Sequence, residues 1–365
     1  MNRILLTALA LGATACAATA ASDDGYKLVW QENFNGDALN TEVWNVEING
    51  DGGGNAELQY YSNGSVKVRD GNLTLTARRK NINGKQFASG RVNTQGKMYF
   101  THGKIEFRVW FPETKNGLWP AVWGLGQDFG EVGWPRCSEI DFVEMGNANG
   151  IRNNTQDRYF NGACHWGFYI NGNYPNYANS VTAPYSMQDG YHIFTVIWDK
   201  NAVKMYYDLD RDPDRQPYYQ MNLTDTSGDW GVGNYFHKPI FLVANLAVGG
   251  RFTGLLNPSE ISALPNVGDE RTMYIDWIKI YQNGGEGDTF YSTNGAGDGG
   301  DTAVDVIDTD SNDPGFFLDG RTIFFDRPGG AVYTMSGTRT SATDLVPGLY
   351  IVKPSDAQPS KIVVR

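Results

Sequence analysis

Three cysteines in 365 residues are too few for a disulfide framework. Cys16 lies in an N-terminal apolar segment, and the remaining pair, Cys137 and Cys164, leaves two readings open: one disulfide in an oxidising compartment, or two buried thiols. Basic residues are also scarce, 30 Lys and Arg against 41 Asp and Glu, for a formal charge of −11. No basic patch offsets that average. DNA, RNA and anionic membranes would be repelled, and a heavily sulfated or carboxylated polymer is mildly disfavoured, so a neutral partner fits best. No amphipathic run of twelve or more residues argues for a long helix, and no membrane-spanning segment is expected in the mature chain. HExxH is absent, and His102, His192 and His237 have no spacing that suggests a metal, so zinc chemistry is not expected. Two apparent motifs also fail. DLDRDPDRQPYY imitates the start of an EF-hand but has Pro213 where Gly is needed and Tyr219 where Glu should be, which leaves a hairpin tip. The glycines of GAGDGG precede no helix and cradle no phosphate.

The N-terminus MNRILLTALALGATACAATAAS has Arg3, an apolar stretch and small residues around Ala18-Thr19-Ala20, the three-part form of a secretory signal over residues 1–20. Export is therefore expected, to the medium or the cell surface. Cys16 stands where a lipoprotein signal carries its acylated cysteine, but Ala13 replaces the usual large aliphatic residue three positions earlier, so export without an anchor is favoured.

Aromatic residues are plentiful, with 20 Tyr, 18 Phe and 10 Trp, which suits an all-β protein with a ring-lined surface. From Tyr26 to Gln282, alternating apolar runs are broken by Gly, Asn, Asp and Pro. In KIEFRVWF, Ile105, Phe107, Val109 and Phe111 share one face. VKVRDGNLTLTA reads as two strands around a tight Asp70-Gly71 turn. YHIFTVIWD, AVKMYYDLD, PIFLVANLAV and MYIDWIKIY continue the pattern, and the whole reads as an antiparallel β-sandwich. A flexible acidic linker rich in Gly and Asp is expected over 283–315, then a small β-module over 316–365. The ending of that module, through YTMSG, GLYIV and KIVVR, resembles the C-terminal sorting modules of exported Bacteroidetes proteins.

The stretch WPRCSEIDFVEMGNANG sets Glu139, Asp141 and Glu144 at gaps of two and then three. On a regular strand Glu139 and Asp141 share a face and Glu144 points the other way. One extra residue near Phe142-Val143, a β-bulge, would return Glu144 to its companions, and bulges often re-aim side chains beside active sites. Three carboxylates on one face repel, so the set should hold at least one proton at neutral pH. That combination is what a retaining glycosidase needs: one carboxylate to attack and one protonated acid to donate, about 5 to 5.5 Å apart. Four pleated positions alone would set Glu139 and Glu144 about 13 Å apart, so long side chains converging over the shorter Asp141 must close the gap. Taken alone, E-x-D-x-x-E also fits a solvated acidic strand or a cation site.

The surroundings narrow that choice. WQENFNGD, NAELQYYS, SGRVNTQGK, HGKIEFRVWFP, NGLWPAVWGLG, GWPRCSEIDFVEMGN, HWG, YHIFTVIWD, LVANLAVGG and MYIDWIKIYQ, in that order, resemble the successive blocks of glycoside hydrolase family 16 over roughly residues 28–282. The resemblance implies a concanavalin A-like β-jelly-roll sandwich with a concave substrate groove over 26–282, and hydrolysis with retention. It assigns Glu139 as nucleophile, Asp141 as the residue that steadies the pair and Glu144 as acid/base, the longer gap being the laminarinase-like form. Trp119, Trp123, Trp134 and Trp166 are candidates to stack on sugars, with Trp119 and Trp134 matching the family's groove tryptophans. Asn55, Glu57 and Arg91 match its polar residues near the cleaved bond, and His165 its histidine beside the catalytic strand. The resemblance also implies a structural Ca²⁺ on the convex side, through Glu32, a glycine near Gly71, and Asp276. No organic cofactor is expected. The reading is a secreted, monomeric endo-β-glucanase acting on β-1,3 or mixed-linkage β-1,3-1,4 glucans. A galactan hydrolase of the agarase or carrageenase kind is the alternative, and a glucan-binding protein without catalysis a more distant one.

Overall fold

The alternation of KIEFRVWF sets the inner face of a sheet: Ile105, Phe107, Val109 and Phe111 are fully buried while Trp110 is exposed. The strand Gly103–Trp110 lies at the middle of a ten-stranded sheet, between His192–Trp198 and Glu270–Gln282. The expected hairpin is present, Val66–Arg69 pairing with Asn72–Ile82. Its two turn residues, Asp70 and Gly71, take φ of 51° and 70°, the left-handed pair that a two-residue turn demands. DLDRDPDRQPYY spans the tip between Ala202–Tyr207 and Tyr219–Asn222, with Asp208 buried against His192 Nδ1 at 2.7 Å.

The molecule is a computed structural model that describes residues 25–293 without a break, then 316–319, 322–325, 330–334, 339–343, 345, 348–353 and 360–364. The expected signal segment over 1–20, with Cys16, lies outside the described residues, as does most of the linker.

A second sheet of nine strands packs against the first. Its path runs Asn176–Thr182, Tyr159–His165, Glu139–Met145, Leu118–Gly126, Ile240–Val248, Arg91–Asn93 and Asn45–Val46. One continuous core fills the space between the sheets, including Trp30, Phe107, Phe142, Phe194 and Leu246. Phe107 and Phe194 stack there at 5.5 Å. The all-β jelly-roll sandwich expected from the sequence is the observed architecture.

One boundary differs from expectation. The domain does not end at Gln282, since Thr289–Ser292 pairs antiparallel with Met98–Thr101 and Tyr291 stacks on Tyr99 at 4.7 Å. The four-residue run TFYS was hidden by its Gly- and Asp-rich flanks, and a pairing strand rather than composition fixes the end of the sandwich. Cys137 and Cys164 are separate buried thiols. The C-terminal stretch carries its own strands, a two-stranded and a four-stranded sheet, with Val332, Tyr350 and Val352 in a small core of their own.

The central irregularity sits in Glu139–Met145. On one side Glu139, Asp141 and Glu144 face Leu125, Trp123 and Ala121; on the other they face His165, Ala163 and Asn161. Both neighbours advance by two and two while the acidic strand advances by two and three, so the extra residue is taken up at Phe142-Val143. Phe142 and Val143 are both turned into the core. Tyr218 donates its hydroxyl to the carbonyl of Phe142, the residue that the bulge leaves without a partner in either neighbouring strand. Gly124 makes room for this: a Cβ there would come 2.6 Å from Ile240 and 3.4 Å from the Phe142 ring.

Phe142 anchors the bulge by burial, so Phe142→Ala should cost about 3 to 5 kcal/mol of stability, read from the denaturant midpoint.

Candidate active site

Period-two alternation builds the floor of a cleft on the outer face of the nine-stranded sheet. Leu118–Gly126 sends Trp119, Ala121, Trp123 and Leu125 to that face, and the acidic strand sends all three carboxylates. Cross-strand pairing then makes two rungs. Arg91, Asn245, Ala121, Glu144 and Asn161 form one, and Asn93, Val243, Trp123, Asp141 and Ala163 form the next. The resulting open cleft is about 600 Å³. Ala121, beside Glu144, contributes only a methyl group to the floor, which leaves the carboxylate accessible from above.

Each carboxylate is held differently. Glu144 accepts from Trp119 Nε1 at 3.0 Å and from Asn161 Nδ2 at 2.8 Å, so both of its oxygens are fixed. Trp119 is itself locked by stacking on Phe252 at 4.6 Å and 14°. His165 Nε2 lies 3.3 Å from Asp141 Oδ2 and 3.9 Å from Glu139 Oε1. Its Nδ1 lies 3.1 Å from the Tyr174 hydroxyl. One atom each of Glu139, Asp141 and His165 fall within 4.8 Å of one another.

Burial is the first cause that raises all three acids. Glu139 is pushed up to about 8, with repulsion from Asp141 added and His165 opposing. Asp141 is pushed up to about 8 by burial. Glu144 is also pushed up to about 8, by burial and then Asp141, against the pull of His165 and the donors Asn161 and Trp119. Acids this close titrate as one set, and that set keeps at least one proton at neutral pH.

Most other expected residues meet at the same cleft. Arg91 is paired with Glu47 at 2.8 Å and lies over the Trp123 ring at 4.9 Å. Trp123 donates to Asn245 at 2.8 Å. Trp134 lies beside His165, ring centroids 6.0 Å apart. Asn55 lines the cleft beside Glu57, and Glu57 accepts from Gln59 and from Tyr61 at 3.0 Å. Trp166 is the exception. It is buried, donates to the Trp230 carbonyl at 2.9 Å and packs edge-on against Phe236, because it follows the strand that ends at His165 and falls on the opposite, core side.

Asn161, Glu47, Asn245 and Tyr174 were not singled out from the sequence. Asn161 stands four residues before His165 in one strand and therefore shares its face, a signal that parity contains. Asn245 is the polar residue in the apolar run IFLVANLAV, another usable signal. Tyr174 had none, since only the loop's return brings it to His165.

The three segments expected around a cation are neighbours. Glu32 pairs opposite Ile278, two positions from Asp276, and Asn35 Oδ1 lies 3.8 Å from where a Cβ on Gly71 would sit. The side-chain donors are largely engaged, however. Glu32 accepts from Phe34 N at 3.0 Å and Trp44 Nε1 at 3.3 Å, and Asp276 Oδ2 meets Arg108. A Ca²⁺ in this place would need oxygen ligands other than these engaged carboxylate atoms.

The raised acids carry a stability consequence. A carboxyl that binds its proton more tightly when folded favours the native state less as pH climbs from about 4, the unfolded value, through the folded value near 8. Glu139→Gln removes one such group. Its melting temperature should exceed that of the parent at pH 8, and the difference should vanish near pH 4, as followed by calorimetry.

Similarity to known proteins agrees with this geometry. The family model for glycosyl hydrolases family 16 matches residues 54–250. The glucan endo-1,3-beta-glucosidase A1 of Niallia circulans is 32% identical over 71% of this chain and 38% of its own length. The glucan endo-1,3-beta-glucosidase of Cryptopygus antarcticus is 32% identical over 64% of this chain and 85% of its own. A glycoside hydrolase family 16 endo-glucanase from Bacteroides ovatus, solved in complex with G4G3G-2F-DNP, superposes with a TM-score of 0.60 at 33% identity, covering 69% of this chain and 99% of that one. The chain spans little more than a third of the longest of these curated relatives. The bulged acidic strand, the tryptophan-lined cleft and a family match across more than half of the sequence place this chain in glycosyl hydrolases family 16.

Proposed function

We propose that the chain is an exported, monomeric endo-β-glucanase that cleaves internal β-1,3 bonds, or β-1,4 bonds beside a β-1,3 kink, with retention of configuration. The observation that carries this reading is the common face of Glu139, Asp141 and Glu144 over an open, ring-lined cleft. Glu144, held by Trp119 and Asn161, gives its proton to the leaving glycosidic oxygen as the Glu139 carboxylate bonds to the anomeric carbon. Glu144, now a carboxylate, takes a proton from water, whose oxygen displaces Glu139 and regenerates both groups. Asp141 stands between them, and His165 beside it steadies the negative charge on the nucleophile's side.

A neutral polymer suits this cleft. Arg91, the cation among its lining residues, is already neutralised by Glu47, which favours a glucan over a sulfated galactan. Intact carboxylates weigh against a binding protein without catalysis. The N-terminal apolar segment supports export, and the likeness of the C-terminal β-module to sorting modules supports a role there in reaching the cell surface or medium.

The sandwich would also hold one structural Ca²⁺, through backbone oxygens of the segments around Glu32 and Gly71 and through Asp276, with the Glu32 carboxylate left to its own hydrogen bonds. Chelator should lower the melting temperature and added Ca²⁺ restore it; an unchanged melting curve counts against the ion.

Reducing-sugar release should be strong on laminarin or barley β-glucan and absent on agarose and carrageenan. Glu139→Gln should lose at least about 10³-fold in kcat while its circular dichroism stays that of the parent. Proton NMR of the first product should show the β-anomer; an α-anomer would rule out retention.

A further inference from the structure

Resting on the glucanase reading above, we propose that Tyr174 is a positioning residue for the reaction: its hydroxyl donates to His165 Nδ1, which fixes the imidazole proton on Nε2 and aims it at Asp141 and Glu139. The distances form a relay, 3.1 Å from the Tyr174 oxygen to Nδ1 and then 3.3 Å from Nε2 to Asp141 Oδ2. A neutral imidazole has one donor and one acceptor nitrogen, and the donor belongs on the side that faces carboxylates. Nδ1 is then the acceptor, and the phenol is its partner. Burial pushes the Tyr174 hydroxyl up to about 12, with Tyr169, Glu139 and Asp141 adding to it, so it keeps its proton wherever the enzyme works.

The local chain is built to hold that hydroxyl still. Ile170 and Asn173 exchange both backbone hydrogen bonds, at 2.7 and 3.0 Å, around Asn171 and Gly172 at φ of 51° and 79°. That is a two-residue hairpin turn, short and stiff. Behind it, Trp166 N donates to the Pro175 carbonyl at 3.1 Å and Asn176 Nδ2 to the Tyr174 carbonyl at 3.1 Å. The ring is wedged edge-on between Trp134 at 4.7 Å and Tyr169 at 5.1 Å. A residue needed only to cover apolar surface would not require its hydroxyl on the imidazole of a catalytic neighbour.

The groups facing His165 are Glu139, Asp141 and, farther along the same strand, Glu144, together with Tyr174 from its own loop. With Tyr174→Phe the imidazole loses its fixed tautomer, and Asp141 and Glu139 lose a reliable N–H donor. Their anions become less favourable, so the nucleophile holds its proton to higher pH.

The test is Tyr174→Phe, which keeps the ring and its packing. Expected are a fall of about tenfold in kcat on laminarin, the scale of one lost hydrogen bond, with KM within about twofold. The acidic limb of the kcat profile should also move to higher pH. A raised KM with unchanged kcat and pH profile would overturn the proposal and leave Tyr174 as a sugar-stacking ring. Nitrogen-15 NMR of the imidazole gives a readout that needs no turnover. The parent should show the proton on Nε2 and the variant a mixture of tautomers. A proton on Nδ1 in the parent overturns the relay even if the enzyme is a glucanase, whereas the expected spectrum in a chain inactive on every glucan faults only the glucanase reading.

Discussion

Everything at the cleft depends on the mismatch in register between one strand and its two neighbours. Leu118–Gly126 and Tyr159–His165 keep a strict period of two, and the acidic strand between them takes one residue more. A strand with regular neighbours on both sides cannot shift its whole length, so the surplus must be absorbed locally. It is absorbed by turning Phe142 and Val143 together into the core, where hydrophobic burial stabilises the kink and Tyr218 satisfies the displaced carbonyl. The core thus holds the irregularity from below, and the carboxylates it re-aims stand above.

That arrangement sets chemistry against stability. Three acids on one buried face repel, and the fold keeps them there only because a β-sandwich core of this size can bear a local deficit. The hydrogen bonds around them differ in character. Glu144 receives two neutral donors that orient it without adding charge, whereas Asp141 and Glu139 share the Nε2 side of one imidazole, at 3.3 and 3.9 Å. Environments that differ this way let similar side chains take different parts in one reaction.

The remainder of the floor follows from ladder geometry more than from individual residues. Arg91 and Asn245 stand on the same rung as Glu144, and Trp123 on the same rung as Asp141. A polymer lying across the strands would meet charge, amide and ring in a fixed order. Glu47 neutralises Arg91 and leaves its planar face over Trp123, which makes the cation part of the wall rather than a free site for anions.

The sequence by itself determined the strands, their buried faces and the bulge, because a period of two is a local property and the odd gap before Glu144 breaks it visibly. It also determined that the Asp70-Gly71 pair turns a hairpin, since few residues tolerate that backbone. Only the tertiary structure decided that Thr289–Ser292 belongs to the sandwich and that Tyr174 reaches His165. Each of these depends on contact between segments far apart in the chain or on a loop's return. Such contacts are set by which partner a segment meets after collapse, and no spacing within one segment encodes them.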